Sequence, residues 1–368
     1  MTTVTQDTSL PSSAFLDSNS RCAPVFNTRC APVFNLDSLA QQIQTLLLAR
    51  NPKLSKLLTS DAKQHILNDS RYPLQFLSAA LHFQEPLIFS NYVTWAGETL
   101  ASRNVTRKQL QEHLSLILEV LHSNYSLPEL DSYFQLALTT LDSVTVTPSF
   151  LLESNPYSSL THDYLQALLN NNKEVAVDLI LDSAASSTPI PDIYTHVFTN
   201  VQKEVGRLWQ ANHLSVAQEH YYSAVTQLAI SQLYPYVRAQ FKANRKPDFL
   251  ISACVGSELH EIGLRLVSDS LECQGWKTIF LGASQPLSGL LETITSLKAK
   301  VILLSTSLAF HLPILQQTIQ HLKTNSDVKV LIGGSSLSIN NLWTKFGADA
   351  FAPDIPSAVL ETARLLKD

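Results

Sequence analysis

Phe249-Leu250-Ile251-Ser252-Ala253-Cys254-Val255, followed closely by Glu258-Leu259-His260-Glu261-Ile262-Gly263, is the stretch that decides the fold of this chain. The first seven residues form a nearly unbroken apolar run of strand length, which reads as a parallel strand buried on both faces. A segment of helical period follows, with Leu264, Val267 and Leu271 at matching positions. A histidine just past the carboxyl end of a first strand lies where open α/β sheets bind ligands. Glu258, two positions earlier, can hold the imidazole by its second nitrogen. Gly263, three positions later, keeps the next helix thin on one side. Together these residues present a histidine to a large cofactor.

Outward from this stretch, residues 248–368 alternate strands with helices. Strands are expected at 249–254, 277–282, 300–306, 328–333 and 348–352, with helical patterns at 258–274, 286–297, 311–323, 338–346 and 355–367. Five βα units predict a parallel sheet covered on both faces. The flavodoxin-like order 2-1-3-4-5 places its switch point between strands one and three. His260 follows strand one, Ser305-Thr306-Ser307 ends strand three, and Gly333-Gly334 ends strand four, so all three would border one crevice.

Upstream, residues 158–240 read as a bundle of four helices, broken at Asn170-Asn171-Asn172, at Ser186-Ser187-Thr188-Pro189 and at Ala211-Asn212. Residues 36–150 read as a separate helical domain, with helices at 36–48, 72–83, 87–100 and 109–121. Pro148 and Asn155-Pro156 mark the boundary between these two parts. Residues 1–35 read as a disordered tail with a tandem duplication, Arg21-Cys22-Ala23-Pro24-Val25-Phe26-Asn27 and Arg29-Cys30-Ala31-Pro32-Val33-Phe34-Asn35. The duplication is either a slipped repeat or a pair of reactive or docking cysteines. The expected class is therefore α plus α/β: a helical domain, a four-helix cap, then a flavodoxin-like sheet.

The chain has 368 residues, 45% of them hydrophobic and 15% charged, with a net charge of -5. Typical soluble domains carry about 25% charged residues, so this surface leans on uncharged polar side chains. No basic run or basic helix face supports nucleic-acid binding. No secretory signal is visible at Met1-Thr2-Thr3-Val4-Thr5-Gln6-Asp7, and no apolar stretch reaches the ~20 residues of a membrane span. The four cysteines show no metal-type spacing, which fits a reduced, cytoplasmic setting.

Histidine, small hydroxyls and a double glycine around one crevice suit a flat, metal-centred cofactor with a long tail. The imidazole would bind the metal through one nitrogen and donate the other N–H to Glu258. Gly263 and Ser305 leave room for the tail, and Gly333-Gly334 lets backbone approach its far end. These residues resemble the cobalamin-binding domain, whose pattern is Asp-x-His-x-x-Gly, then Ser-x-Leu, then Gly-Gly. The resemblance implies base-off binding, with His260 as the lower cobalt ligand and the benzimidazole tail buried near Ser305 and Gly333. Two positions depart from the pattern: Glu258 stands for Asp, and Ser307 stands for Leu.

A second resemblance lies in Gly206-Arg207-Leu208-Trp209 and Glu219-His220, which look like the helical cap of light-sensing cobalamin repressors and corrinoid-protein relatives. It implies that Trp209, Val216, Glu219 and His220 face the upper side of the corrin. Plain core packing for Trp209 and a hydrogen-bonded core position for His220 are the alternatives. A histidine commonly follows the Trp in that group; here Gln210 stands there, and an amide is a poor cobalt ligand. No DNA-binding winged helix precedes the cap. The segment 72–121 is similar instead to the amino-terminal domain of stand-alone cobalamin photoreceptors, some of which, the photocobilins, also hold biliverdin. Tyr92, Trp95 and Arg103 would line such a bilin pocket, the Arg meeting a propionate. The family reading is thus a cobalamin light sensor, a signalling protein rather than an enzyme. Adenosylcobalamin is the favoured upper form, methylcobalamin the alternative, and a homo-oligomer and an unidentified protein partner are expected. A corrinoid methyl carrier is the competing reading, and a cobalamin-binding scaffold a weaker one.

Overall fold

The structure is a computed structural model that describes residues 34–52, 59–142 and 147–367. The duplicated segment with Cys22 and Cys30 lies outside the described residues. The amino-terminal helices are α1 (Leu36–Arg50), α2 (Ser60–Phe83), α3 (Leu87–Ala101), α4 (Arg107–Asn124) and α5 (Leu130–Asp142). Two differ from expectation. Helix α2 begins at Ser60, well ahead of the expected start at Tyr72, and runs through Pro73. Helix α5 was not expected at all; the Leu127-Pro128 turn obscures its start, although Leu130, Tyr133, Phe134, Ala137 and Leu141 are all buried.

Four further helical rods follow. These are α6 (Ser158–Leu169), α7 (Lys173–Ala185), α8 (Thr199–Gln210) and α9 (Val216–Asn244). A short helix at Ile190–Asp192 and a π-turn at Ile193–Phe198 feed into α8. Helix α9 starts with a capping box, in which Ser215 Oγ accepts the Gln218 N–H and Gln218 reaches back to the Ser215 N–H.

The sheet holds β1 (Phe249–Val255), β2 (Lys277–Gln285), β3 (Val301–Ser305), β4 (Lys329–Gly333) and β5 (Ala350–Ala352), in the order 2-1-3-4-5. Every pairing is parallel. The expected order is therefore observed. The helices between strands are α10 (Ile262–Cys273), α11 (Leu287–Leu297) and α12 (Leu312–Asn325), and α13 (Ile355–Leu365) closes the fold. The expected helix at 338–346 is instead 3-10 structure at Ser335–Lys345, broken where Asn340 and Asn341 take positive φ of 45° and 54°.

Alternation along β1 sends its side chains to two cores. Ile251, Ala253 and Val255 join the cluster that also holds Leu77, Phe89, Ile117 and Phe134 of the amino-terminal helices. Leu250 and Cys254 face Leu264 and Leu271 of α10 and Leu365 of α13. The α6–α9 bundle has its own core around Tyr164, Ile180, Tyr194 and Val225, joined to the sheet unit by Leu266 and Cys273 of α10. Each enclosed Leu, Ile or Phe contributes roughly 1.5–3 kcal/mol. Burial, the larger influence, and nearby carboxylates push the thiols of Cys254 and Cys273 up to about 12, so both behave as small hydrophobes.

Candidate functional site

Gly256 turns the chain after β1 with φ +63°, and a Cβ there would lie 2.9 Å from Ile314 Cγ2. Residues 258–261 then form a loop ahead of α10, where helix was expected. Glu258 accounts for this. Its side chain is 0% exposed. Oε1 accepts the His260 backbone N–H at 3.0 Å and the ring Nδ1–H at 2.5 Å. Oε2 accepts the backbone N–H groups of Ser307 at 2.7 Å and Leu308 at 3.0 Å, and the Thr306 hydroxyl at 3.4 Å. Burial alone would raise such an acid. The bonds from His260, Leu308 and Ser307 outweigh burial and hold Glu258 down at about 2. One buried carboxylate thus ties the histidine loop to the end of β3. The methylene that separates Glu from Asp gives it the reach to do both.

With Nδ1–H committed to Glu258, the free nitrogen of His260 is Nε2, on a side chain 62% exposed. The Glu258 hydrogen bond raises the His260 pKa against its burial, and the charges of Glu258 and Glu219 add to the rise. On α9, Glu219 Oε2 pairs with His220 Nδ1 at 2.5 Å, and Oε1 accepts from Ser223 Oγ at 3.0 Å. The His220 side chain is 75% exposed, so it is not the buried core histidine of the alternative reading. Val216 is exposed at the start of α9.

Trp209, near the end of α8, is partly buried against the bundle core. The Arg103 guanidinium lies 5.2 Å from its ring centroid, and the Trp95 ring stacks at 6.2 Å. The Gln210 amide donates to Glu98 Oε2 at 2.7 Å. Arg103 therefore does other work than the expected meeting with a bilin propionate. Its guanidinium donates to the carbonyls of Thr99, Gln210 and Trp209 at 2.9–3.0 Å. Tyr92 stacks on Phe76 at 4.2 Å.

At the carboxyl edge, Cys254 pairs with Ser305 and Ser305 with Gly333, so the three strand ends sit in register. Gly334 has φ +120°, and a Cβ there would fall 1.9 Å from the Thr306 carbonyl oxygen, so only glycine fits. Ser307 contributes its backbone N–H to Glu258, and its carbonyl accepts from Ser335 Oγ at 3.3 Å. A Cβ built on Gly263 meets nothing within 4 Å, which leaves open space at the start of α10 beside the histidine loop.

Four participants were not legible in the sequence. The Ser307 and Leu308 amides are backbone, which no residue pattern marks. His311 is buried next to the Gly256 turn, and burial lowers its pKa. Glu261 accepts the Ala283 N–H at 2.8 Å and so anchors the histidine loop to β2.

These features fit a cobalamin held through one protein nitrogen. Among the described residues, no group of three or more His, Cys, Asp or Glu could hold a metal ion. A metal that comes with ligands of its own, as in a corrin, needs no such group. The imidazole is oriented and exposed, and the space at Gly263 is free for a tail.

Comparison with known proteins agrees. Two family models, both described as a B12 binding domain, match residues 160–234 and 250–358. The dimethylamine corrinoid protein 3 of Methanosarcina mazei is 28% identical over 170 residues, 45% of this chain and 96% of that protein. The dimethylamine corrinoid protein 1 of Methanosarcina acetivorans is 30% identical over 128 residues, 34% of this chain and 59% of that one. A methionine synthase of Mycobacterium leprae is 24% identical over 182 residues, 48% of this chain but only 15% of the synthase. The solved monomethylamine corrinoid protein of Methanosarcina barkeri shares the fold at a TM-score of 0.51 and 20% identity, covering 57% of this chain and 99% of that one. Residues 160–234 and 250–358 are thus the helical and sheet halves of a cobalamin-binding module, and the chain is a cobalamin-binding protein.

Proposed function

We propose that this protein is a corrinoid carrier that holds alkylated cobalamin between the α6–α9 cap and the sheet, with His260 Nε2 as the lower cobalt ligand. The observation that carries the reading is the Glu258–His260 pair, which fixes the ring tautomer and exposes the second nitrogen. Bound there, a corrin supplies a cobalt centre whose alkyl group is given up to a nucleophile or released by visible light. Glu258 keeps the proton on Nδ1 and raises the basicity of Nε2. The open start of α10 at Gly263 admits the nucleotide tail beside Ser305 and Gly333, and Ser307 bounds it. Trp209, Val216, Glu219 and His220 close the upper side. Relatives named as methylamine corrinoid proteins and methionine synthase favour methyl transfer over light sensing.

A light sensor is the second reading. It is supported by the resemblance to stand-alone cobalamin photoreceptors and by the seating of the amino-terminal helices on the Trp209 helix end. In that reading a bilin would lie against Trp95, a residue 44% exposed, without Arg103 as its anion partner. One experiment separates the two. Protein loaded with methylcobalamin or adenosylcobalamin is followed by absorption and by size, first dark with a thiol acceptor and a corrinoid methyltransferase, then illuminated. Dark methyl transfer supports the carrier. A light-driven change of spectrum and oligomeric state, with no dark transfer, supports the sensor. Failure to take up any corrinoid sinks both.

A further inference from the structure

The end of α8 is held from outside its own bundle. Trp209 and Gln210 carry last-turn carbonyls beyond the reach of the helix's own ladder, and the Trp209 carbonyl takes the Asn212 N–H at 3.0 Å from the turn that follows. Residues at the end of α3 reach across to them. Arg103 Nη2 donates to the Trp209 carbonyl at 3.0 Å, and Nη1 donates to the Gln210 carbonyl at 3.0 Å. Ser102 Oγ donates to the same Gln210 carbonyl at 2.8 Å. Asn212 Nδ2 returns a bond to the Ser102 carbonyl at 3.3 Å. Glu98 takes the Gln210 side chain at 2.7 Å and the Thr147 hydroxyl at 2.9 Å. The guanidinium also covers the Trp209 ring, and a cation at a helix C-terminus is favourable in itself.

The same amino-terminal helices grip the sheet unit at their other end. Phe76 meets Phe310 edge-on at 5.2 Å, and Phe83 stacks on Phe346 at 4.9 Å. Glu85 accepts from Asn340 at 2.9 Å, and Lys345 donates to the Phe83 carbonyl at 2.7 Å. Phe310 lies two residues beyond Leu308, whose N–H holds Glu258. Helices α2 and α3 therefore span both halves of the cobalamin module.

We propose that Glu98, Ser102 and Arg103 form a latch on the Trp209–Gln210 helix end that sets access to the upper face of the bound corrin. Arg103 is a positioning residue: it touches Trp209, not the cofactor. The latch keeps the Trp209 ring at one height over the site and makes the cap open only when these bonds break. A protein partner reaching for the upper face must displace or circumvent this chain's own helices. The inference rests on the cobalamin reading for its functional half only.

The test uses the full chain with R103A and R103K. In cobalamin-free protein, hydrogen exchange is followed at the amides of Ala211, Asn212 and His213. R103A should speed these about tenfold, equivalent to about 1.4 kcal/mol, while the β1 and β3 amides keep their protection. R103K, a cation without the planar fork, should fall between R103A and wild type. In protein loaded with hydroxocobalamin, cyanide should replace the upper ligand faster in R103A, again about tenfold, with the starting spectrum unchanged. Unaltered exchange at 211–213, or a rise spread evenly over the chain, overturns the latch. Unaltered cyanide kinetics overturns its control of the upper face. If R103A does not fold, R103K decides both arms. If wild-type protein takes up no cobalamin, the cobalamin reading fails and takes the upper-face claim with it, while the exchange arm still judges the latch.

Discussion

Replacing Glu258 with Gln should weaken cobalamin binding while leaving the sheet folded. The side chain keeps its volume but trades two accepting oxygens for one oxygen and one NH2 group. In the native chain both oxygens accept, Oε1 from the His260 ring and backbone and Oε2 from Ser307 and Leu308. An amide oxygen turned toward Ser307 and Leu308 keeps those buried donors paired. The NH2 group then faces His260, so Nδ1 must accept instead of donate, and the ring proton moves to Nε2. In the proposed carrier, the nitrogen offered to cobalt is then protonated. Partners that orient a metal-bound histidine are typically worth about 10- to 100-fold in affinity, or about 1.4–2.7 kcal/mol. The His260 backbone N–H also loses its acceptor, which costs about 1–3 kcal/mol of stability. Hydroxocobalamin titrations followed by absorption give the Kd, and urea unfolding of the same samples gives the stability. An affinity equal to wild type would refute the tautomer reasoning, whatever the stability does.

Two further outcomes follow from other parts of the molecule. Gly263→Leu fills open space on a helix whose backbone tolerates any residue, so urea stability should hold or rise by up to about 1 kcal/mol while cobalamin affinity falls; unchanged binding would show that the tail does not pass there. Glu204 is buried and accepts from the Phe150 N–H at 2.9 Å and from Arg207 at 2.6 and 3.0 Å, and these bonds outweigh burial and hold its pKa below the ordinary carboxylate value. A carboxylate depressed in the folded state stabilises at pH above its unfolded value, and that contribution is lost as pH falls through the folded value. The urea midpoint should therefore drop as pH falls below the usual carboxylate range, and Glu204→Gln should flatten that dependence; parallel pH curves for the two proteins would refute it.

The sheet was legible because its strands are short apolar runs separated by helical periods, and five such units admit few topologies. The Glu258–His260 pairing was legible because a carboxylate two residues before a histidine, just past a strand end, can reach the ring's second nitrogen. What escaped was backbone. Glu258 is held by the Ser307 and Leu308 amides, and Arg103 spends its guanidinium on the carbonyls of Thr99, Trp209 and Gln210, none of which a residue pattern displays. The resemblance makes Arg103 a propionate partner, whereas two of the carbonyls it holds, those of Trp209 and Gln210, lie more than a hundred residues away along the chain. The 258–261 stretch read as helix because its apolar spacing continues into α10, but the Glu258 carboxylate captures the His260 N–H and keeps the loop open. At 335–345, Asn340 and Asn341 adopt positive φ, which their side chains permit and a helical pattern hides.

The most direct measurement is electron paramagnetic resonance of the protein loaded with cob(II)alamin, prepared with natural and with 15N-labelled histidine. If His260 Nε2 lies beneath the cobalt, the axial nitrogen splitting changes from triplet to doublet on labelling and disappears in His260→Ala. A splitting that ignores the label would mean that the cofactor's own benzimidazole still occupies the lower position, and the assignment of His260 would be wrong.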